Sequence, residues 1–371
     1  MRRAHVSQRR VDEKYMRRAL SLAKKGLGRT SPNPAVGALL VKDGRILASA
    51  YHKKAGSMHA EALAIRRAGR RTRGATLYCT LEACSSRGKT PPCVEAIIRS
   101  GIKRAVFAMR DPNPVNYGGG IRRLKRAGVD TACGVLRDEA MELNRPFTKF
   151  IKKGLPYITI KLAQSLDGKT ADSAGRSRWI TSASSRRLVH RLRARSDAVL
   201  AGANTVIKDD PLLTNRGGGK NQPLRVILDT DLRIPPESRV IDGRKDRGRG
   251  ALIIGGRNAS QKKKRILEGR GARVVLMPRE KNQIDLSRAM RYLAGIGVVS
   301  VLSEGGGELS ASLLRKGLAD EVFLFIAPRI IGGRNAPGSF GGAASDIRNS
   351  FFLKDMRMEK IGPDILVRGR L

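Results

Sequence analysis

The chain has 371 residues, 40% of them apolar and 4% aromatic, with 74 lysines and arginines against 32 acids and a net charge of +42. That length exceeds one ordinary core and predicts two domains, while four cysteines exclude a disulfide framework and fit a reducing compartment. Residues 1–14 lack the apolar run of a secretion signal and no segment reaches the length of a membrane span, so a cytoplasmic protein without a membrane partner is expected.

Residues 11–26 carry apolar side chains at helical spacing, open on Asp12 and Glu13, and close on Gly26, so a helix is expected there. The loop T-S-P-N-P (30–34) stops it. A-V-G-A-L-L-V (35–41) and R-I-L-A-S-A-Y (45–51) flank K-D-G and read as a hairpin. A helix near His59, a strand over 75–81, a cysteine-bearing loop and a helix from about Pro92 to Arg99 follow. A strand over 103–109 and a helix over 121–127 continue the alternation, which predicts α/β layers with metal ligands at helix starts. Free amides and the positive end of a helix favour thiolate over thiol there.

One constellation in this half carries chemistry. H-A-E (59–61) opens an apolar-periodic run, and Cys84 and Cys93 follow. One imidazole and two thiolates make a three-ligand zinc set whose open fourth position takes water, the catalytic arrangement rather than the structural one. Glu61 is then the carboxylate beside that water. Zinc draws the pKa of such a water toward neutrality, and the carboxylate can carry its proton to a leaving amine, which is hydrolytic deamination. Eight residues separate the cysteines, where the common deaminase signature has two. Any one of these side chains reads as well as a satisfied helix histidine or a small core cysteine; the four together favour the site.

Residues 137–156 are expected as one helix running out into K-K-G-L-P, and the boundary is set there, giving domains 1–153 and 154–371. The second half opens on a strand, Y-I-T-I-K-L-A (157–163), followed by Q-S-L-D-G-K-T-A (164–171) and by R-S-R-W-I-T (176–181) with the lone tryptophan. Residues 184–206 read as helix, strand and small-residue turn. The apolar runs 224–229, 251–255, 273–277, 298–302 and 320–327 have the pattern of buried strands, and a strand pair near 350–368 ends the chain. Residues 217–222 and 242–250 read as mobile basic loops. V-L-S-E-G-G-G-E-L-S-A-S-L-L (301–314) is a strand, a triple-glycine turn and a helix, able to seat a phosphate but as often a plain chain reversal. Its spacing is not G-x-G-x-x-G. The cations are spread along the whole chain without interleaved aromatics, which predicts a solvated basic surface with weak, non-specific, salt-sensitive nucleic-acid contact.

L-E-A-C-S-S-R-G-K-T-P-P-C (81–93), S-P-N-P-A-V-G (31–37), H-K-K-A-G-S-M-H-A-E (52–61) and D-P-N-P (111–114) resemble the deaminase half of the bifunctional riboflavin-biosynthesis deaminase-reductase family. K-L-A-Q-S-L-D-G-K-T-A (161–171), W-I-T (179–181), R-A-R-S-D-A-V-L-A-G-A-N-T-V (193–206) and S-E-G-G-G-E-L (303–309) resemble its reductase half. The resemblance implies a cytidine-deaminase-like three-layer α/β/α domain followed by a dihydrofolate-reductase-like α/β domain. It implies zinc-dependent deamination of 2,5-diamino-6-ribosylamino-pyrimidinone 5′-phosphate and then NADPH reduction of the ribosyl group to ribityl. It places Asn33 and His52 on the pyrimidine or its ribose, and Lys161, Ser177, Leu213 and Glu304 on the reductase substrate. Arg193 and Arg216 are the fork-shaped candidates for its phosphate. Ala163, Trp179, Thr205, Asp209, Thr230, Gly306 and Gly307 are placed against NADPH. Singly, Trp179 as core, Arg193 as solvated helix face and Asp209 as helix cap read equally well; as a set they favour the site. Met58, Ala83 and Ser86 stand where the family usually has Pro, Pro and His. Two rivals therefore stay open: a reductase with a decayed deaminase, and a tRNA-type nucleic-acid deaminase suggested by the charge. A homo-oligomer is expected.

Overall fold

The computed structural model describes residues 2–87, 91–218, 221–241, 249–344 and 346–371, and leaves aside the side chains of 2–7. The basic loops expected at 217–222 and 242–250 therefore fall partly outside the described residues. The chain divides into two compact units, Met1–Gly154 and Leu155–Leu371.

The first unit runs α1 (Arg2–Lys24), β1 (Gly37–Lys42), β2 (Arg45–Tyr51), α2 (Ala60–Ala68), β3 (Thr76–Cys79), α3 (Cys93–Arg99), β4 (Arg104–Phe107), α4 (Gly119–Arg126), β5 (Asp130–Cys133), α5 (Arg137–Leu143) and α6 (Arg145–Lys153). Its sheet has the order β2-β1-β3-β4-β5. β1 pairs antiparallel with β2 and β3, and β3, β4 and β5 run parallel. Ala38, Leu39, Leu40 and Val41 of β1 are all buried, because α1 and α2 both pack on this strand. Tyr15, Met16, Ala19 and Leu20 form the stripe that α1 lays on the sheet.

Three elements of this unit differ from expectation. α1 begins well before residue 11, because Gln8 donates to Asp12 and Arg9 pairs with Glu13 one turn on, extending the helix outward. The expected helix over 137–156 is broken at Asn144. That side chain is buried, accepting from Ala35 N at 2.9 Å and donating to Ala35 O at 3.1 Å, and Pro146 starts the next helix. β5, D-T-A-C, carries no alternation that would announce a strand; pairing with β4 makes it one.

The second unit runs β6 (Tyr157–Ser165), α7 (Ala183–Arg195), β7 (Ala198–Gly202), α8 (Ala203–Asp209), β8 (Leu224–Leu228), β9 (Ala251–Gly256), α9 (Gln261–Gly269), β10 (Ala272–Met277), the two-residue strands β11 (Arg279–Glu280) and β12 (Gln283–Ile284), α10 (Leu286–Gly295), β13 (Ser300–Ser303), α11 (Gly307–Arg315), β14 (Glu321–Ala327), β15 (Lys354–Ile361) and β16 (Asp364–Arg370). Nine strands form one sheet, β10-β9-β8-β7-β13-β6-β14-β16-β15. The first seven in that order run parallel, and β16 and β15 close the edge antiparallel. Along β7, Ala198 and Leu200 enter one apolar cluster and Val199 and Ala201 another, so the sheet is covered on both faces. The small-residue turn expected after β7 is the helix α8. Among the described residues, no helix is long and apolar enough to cross a membrane.

Candidate active sites

In the first unit, His59 caps the start of α2 in extended conformation, Cys93 opens α3 after Pro92, and Cys84 lies on the segment leaving β3. His59 Nδ1 is 3.2 Å from Cys93 Sγ and 3.7 Å from Cys84 Sγ, and Cys93 N donates to Cys84 Sγ at 3.3 Å. All three ligand atoms lie within 4.8 Å of one another. Tetrahedral zinc with bonds of ~2.3 Å to sulfur and ~2.0 Å to nitrogen sets its ligands roughly 3.5–3.8 Å apart. The two imidazole–sulfur distances, 3.2 and 3.7 Å, fall on either side of the value zinc sets for nitrogen and sulfur. Cys84 is pushed down to about 4, first by the hydrogen bond from the Cys93 thiol, while donating that bond and burial push Cys93 up. Cys84 is thus ready to serve as a thiolate ligand, and the His–Cys–Cys set suits a divalent cation.

Glu61 lies in the first turn of α2, 4% exposed, and burial pushes its carboxyl up to about 7. A carboxyl titrating near neutrality can both accept and return a proton. His52 is buried at the end of β2, its ring edge-on to His59 with centroids 5.4 Å apart. Its Nδ1 sits 3.3 Å from Met58 O, which can only accept, so Nδ1 carries the proton and Nε2 accepts from Asn33 Nδ2 at 3.1 Å. Burial lowers the His52 pKa, in keeping with that neutral ring. Asn33 and His52 thus stand together beside the metal ligands. Met58 serves His52 through its backbone carbonyl, which any residue supplies.

In the second unit, a cavity of about 990 Å³ opens at the carboxyl ends of the parallel strands, where open α/β sheets place their ligands. Its wall includes Lys161, Ser177, Arg193, Leu213, Arg216 and Glu304, together with Ala163, Trp179, Thr205, Asp209, Gly306 and Gly307. Thr230 is not in that wall. It follows β8, where its carbonyl accepts from Gly256 N at 2.8 Å.

Arg193 forks onto Glu304, Nε to Oε1 at 2.6 Å and Nη2 to Oε2 at 2.9 Å, and Nη1 reaches Thr214 O at 3.0 Å. It is no solvated helix face: its side chain is 11% exposed. Burial raises the Glu304 pKa, but Arg193 and then Lys161 outweigh it and hold the carboxyl below its ordinary value. Burial also pulls Lys161 down. Arg216 makes no ion pair among the described residues, and burial followed by Arg193, Arg239 and Arg178 lowers its pKa. Trp179 is not core: it is 57% exposed with the Arg186 guanidinium 4.6 Å over its ring. Asp209 does not cap a helix start. It ends α8, accepting from Ser177 Oγ at 3.2 Å, while its carbonyl accepts from Arg178. A Cβ on Gly307 would lie 2.9 Å from Gly341 N, whereas one on Gly306 would meet nothing, so the glycine turn packs on one side and is open on the other.

His190, Arg178, Arg186, Lys208 and Arg239 also line the cavity and escape sequence reasoning. Four of them are basic residues in a chain with 74, so nothing local marks them.

Residues 9–109 match the cytidine and deoxycytidylate deaminase zinc-binding region, and residues 156–367 match the RibD C-terminal domain. The chain is 42% identical to riboflavin biosynthesis protein RibD of Aquifex aeolicus, over 97% of this chain and 98% of that one. Its identity to the RibD of Escherichia coli is 40%, over 86% and 89% of the two. Among solved structures it resembles the Thermotoga maritima diaminohydroxyphosphoribosylaminopyrimidine deaminase/5-amino-6-(5-phosphoribosylamino)uracil reductase, with TM-score 0.87, 37% identity, and 98% and 99% of the chains covered. Acinetobacter baumannii RibD follows with TM-score 0.86 and 35% identity, covering 98% and 99%.

Proposed function

The chain belongs to the RibD family of bifunctional riboflavin-biosynthesis enzymes, joining a zinc deaminase to a reductase, and from that premise we propose how its residues divide the work. The likeness covers both halves at full length, so a reductase-only chain and a tRNA-type deaminase are not favoured.

In the deaminase, His59, Cys84 and Cys93 hold zinc, which when bound supplies an activated water. Beside those ligands, Glu61 would accept a proton and return it to the departing amine of the diaminopyrimidinone ribosyl phosphate. Asn33 and His52, bonded to each other, orient the ring or its ribose. In the reductase, Ala163, Trp179, Thr205, Asp209, the Gly306–Gly307 turn and, beyond the cavity wall, Thr230 would hold NADPH, which would supply the hydride. Lys161, Ser177, Leu213, Arg216 and Glu304 hold the deaminated substrate. Arg193 is engaged by Glu304, so Arg216 is the freer phosphate ligand and Arg193 contributes by fixing Glu304. Hydride transfer is the cofactor's chemistry, and these side chains position it. The functional units are 1–153 and 154–371.

The observation that carries this reading is the meeting of His59, Cys84 and Cys93 with a buried Glu61 two residues from the imidazole. Glu61→Gln tests it on the full chain. Zinc content should stay at the wild-type level, ammonia release should fall by roughly 10²–10⁴-fold, and reduction of pre-deaminated substrate should be unchanged. Ammonia release at the wild-type rate would remove Glu61 from the mechanism.

Met356 and Met358 on the edge strand β15 are 60% and 68% exposed, which supports a homo-oligomer. The charge of +42 supports only weak, non-specific contact with nucleic acid. Sedimentation with added RNA at physiological salt checks both. A monomer, or RNA carried down with the protein, would contradict the respective statement.

A further inference from the structure

The segment that carries Cys84 is gripped from both sides by residues 111–123. Asn116 is 8% exposed. Its amide oxygen accepts from Ser86 Oγ at 2.8 Å and from the N–H groups of Ser85 and Ser86 at 3.3 Å each. Its amide nitrogen donates to Asp111 Oδ2 at 2.9 Å, and Asp111 Oδ1 accepts from Asn113 N at 2.9 Å. Two residues before Cys84, the buried Glu82 accepts from the N–H groups of Asp111, Gly118 and Ile121 at 3.2, 3.0 and 3.1 Å. Arg123 Nη1 donates to Ser85 O at 2.9 Å. A Cβ on Gly120 would lie 2.1 Å from Ala83 O, so the two segments touch backbone to backbone.

We propose that Asn116 is a positioning residue of the deaminase: through Ser85 and Ser86 it fixes the direction in which Cys84 presents its sulfur to zinc. The inference rests on the reading of Cys84 as a ligand. Three donors converge on the Asn116 oxygen, and the same amide must give a hydrogen to Asp111. Only a carboxamide offers acceptor and donor together at that reach. An aspartate would lose the donor and set a second carboxylate against Asp111, while an alanine would leave the Ser85 and Ser86 donors without their partner. Supports behind a ligand set metal affinity by holding the ligand in its bound orientation. Here the support acts on the backbone just past the cysteine, and the Ser86 hydroxyl is part of it.

The test is zinc affinity of the full chain by competition with a chelator, together with the visible spectrum of the cobalt-loaded protein. Asn116→Ala should weaken zinc by roughly 10–100-fold and shift the cobalt bands, while reduction of pre-deaminated substrate is unchanged. Asn116→Asp, which keeps the acceptor, should fall between that variant and wild type. Ser86→Ala should cost a few-fold on its own and nothing further in the Asn116→Ala background, as expected for residues in one network. A merely structural asparagine would lower the melting temperature and leave both affinity and cobalt spectrum of the folded protein as in wild type; that result overturns the proposal. Should Asn116→Ala not fold, Ser86→Ala decides by the same two measurements. Cys84→Ala separates the two levels of failure. Wild-type zinc binding by Cys84→Ala would sink the ligand reading itself, whereas zinc lost from Cys84→Ala but retained by Asn116→Ala would sink only the positioning role.

Discussion

Arg193 and Arg216 look alike in the sequence and part company in the fold. Arg193 is buried against Glu304, and removing one partner of a buried, hydrogen-bonded pair costs about 3–5 kcal/mol. Arg193→Ala should therefore unfold the second unit at lower denaturant. Arg216 carries no ion pair among the described residues, so Arg216→Ala should leave the unfolding midpoint in place. It should instead raise the reductase KM for the phosphorylated substrate by about tenfold or more, the worth of a charge-assisted contact. An unchanged KM would take the phosphate away from Arg216. The difference in legibility has a plain cause. His59, Cys84 and Cys93 stand out because the chain has only four histidines and four cysteines, so three of them near one Glu is already a signal. The cavity arginines are drawn from 74 basic residues, and only the fold shows which of them face a ligand.

Asp12 shows the same limit for an element. Its place in the sequence suggests the acidic first turn of a helix. In the fold it sits mid-way along α1, where Arg104 of β4 grips it at 2.8 and 2.9 Å and Tyr78 donates to it at 2.9 Å. Burial raises the Asp12 pKa, but the bonds from Arg104, Gln8 and Tyr78 outweigh it and the folded value lies below the ordinary 3.8. A carboxyl depressed on folding contributes stability that is complete above its unfolded pKa and is lost as pH falls through the folded one. Asp12→Asn should thus cost the first unit about 2 kcal/mol near neutrality. Its stability should also fall less steeply than that of wild type below 3.8. Urea titrations at neutral and acid pH read both quantities, and parallel curves for the two proteins would contradict the account. The strands β8, β9, β10, β13 and β14 are legible because each is a mainly apolar run with helices or loops between, whereas the two-residue β11 and β12 carry no such run. β5 and the break at Asn144 were not, since one depends on a neighbouring strand and the other on the distant backbone of Ala35. α8 is hidden for a third reason: its small and β-branched residues favour a turn until β7 delivers them over the cavity.

At the scale of the whole molecule, one chain carries two chemistries that share a single phosphorylated pyrimidine. The metal cluster and its buried carboxylate belong to the first unit, and the cation-lined cavity at the strand ends belongs to the second. The charge of +42 exceeds anything a phosphate ester calls for, and neither fold nor site explains its size. The family is legible from eight short stretches, four in each half. In the proposed function the deaminase site acts first and the cavity of the second unit takes its product. The most direct measurement follows ammonia and then NADPH oxidation on zinc-loaded protein given the diaminopyrimidinone ribosyl phosphate. The account predicts ammonia first, with NADPH consumed afterwards in equal amount. NADPH oxidation that appears only when pre-deaminated substrate is supplied, with no ammonia from the diamino compound, would contradict it.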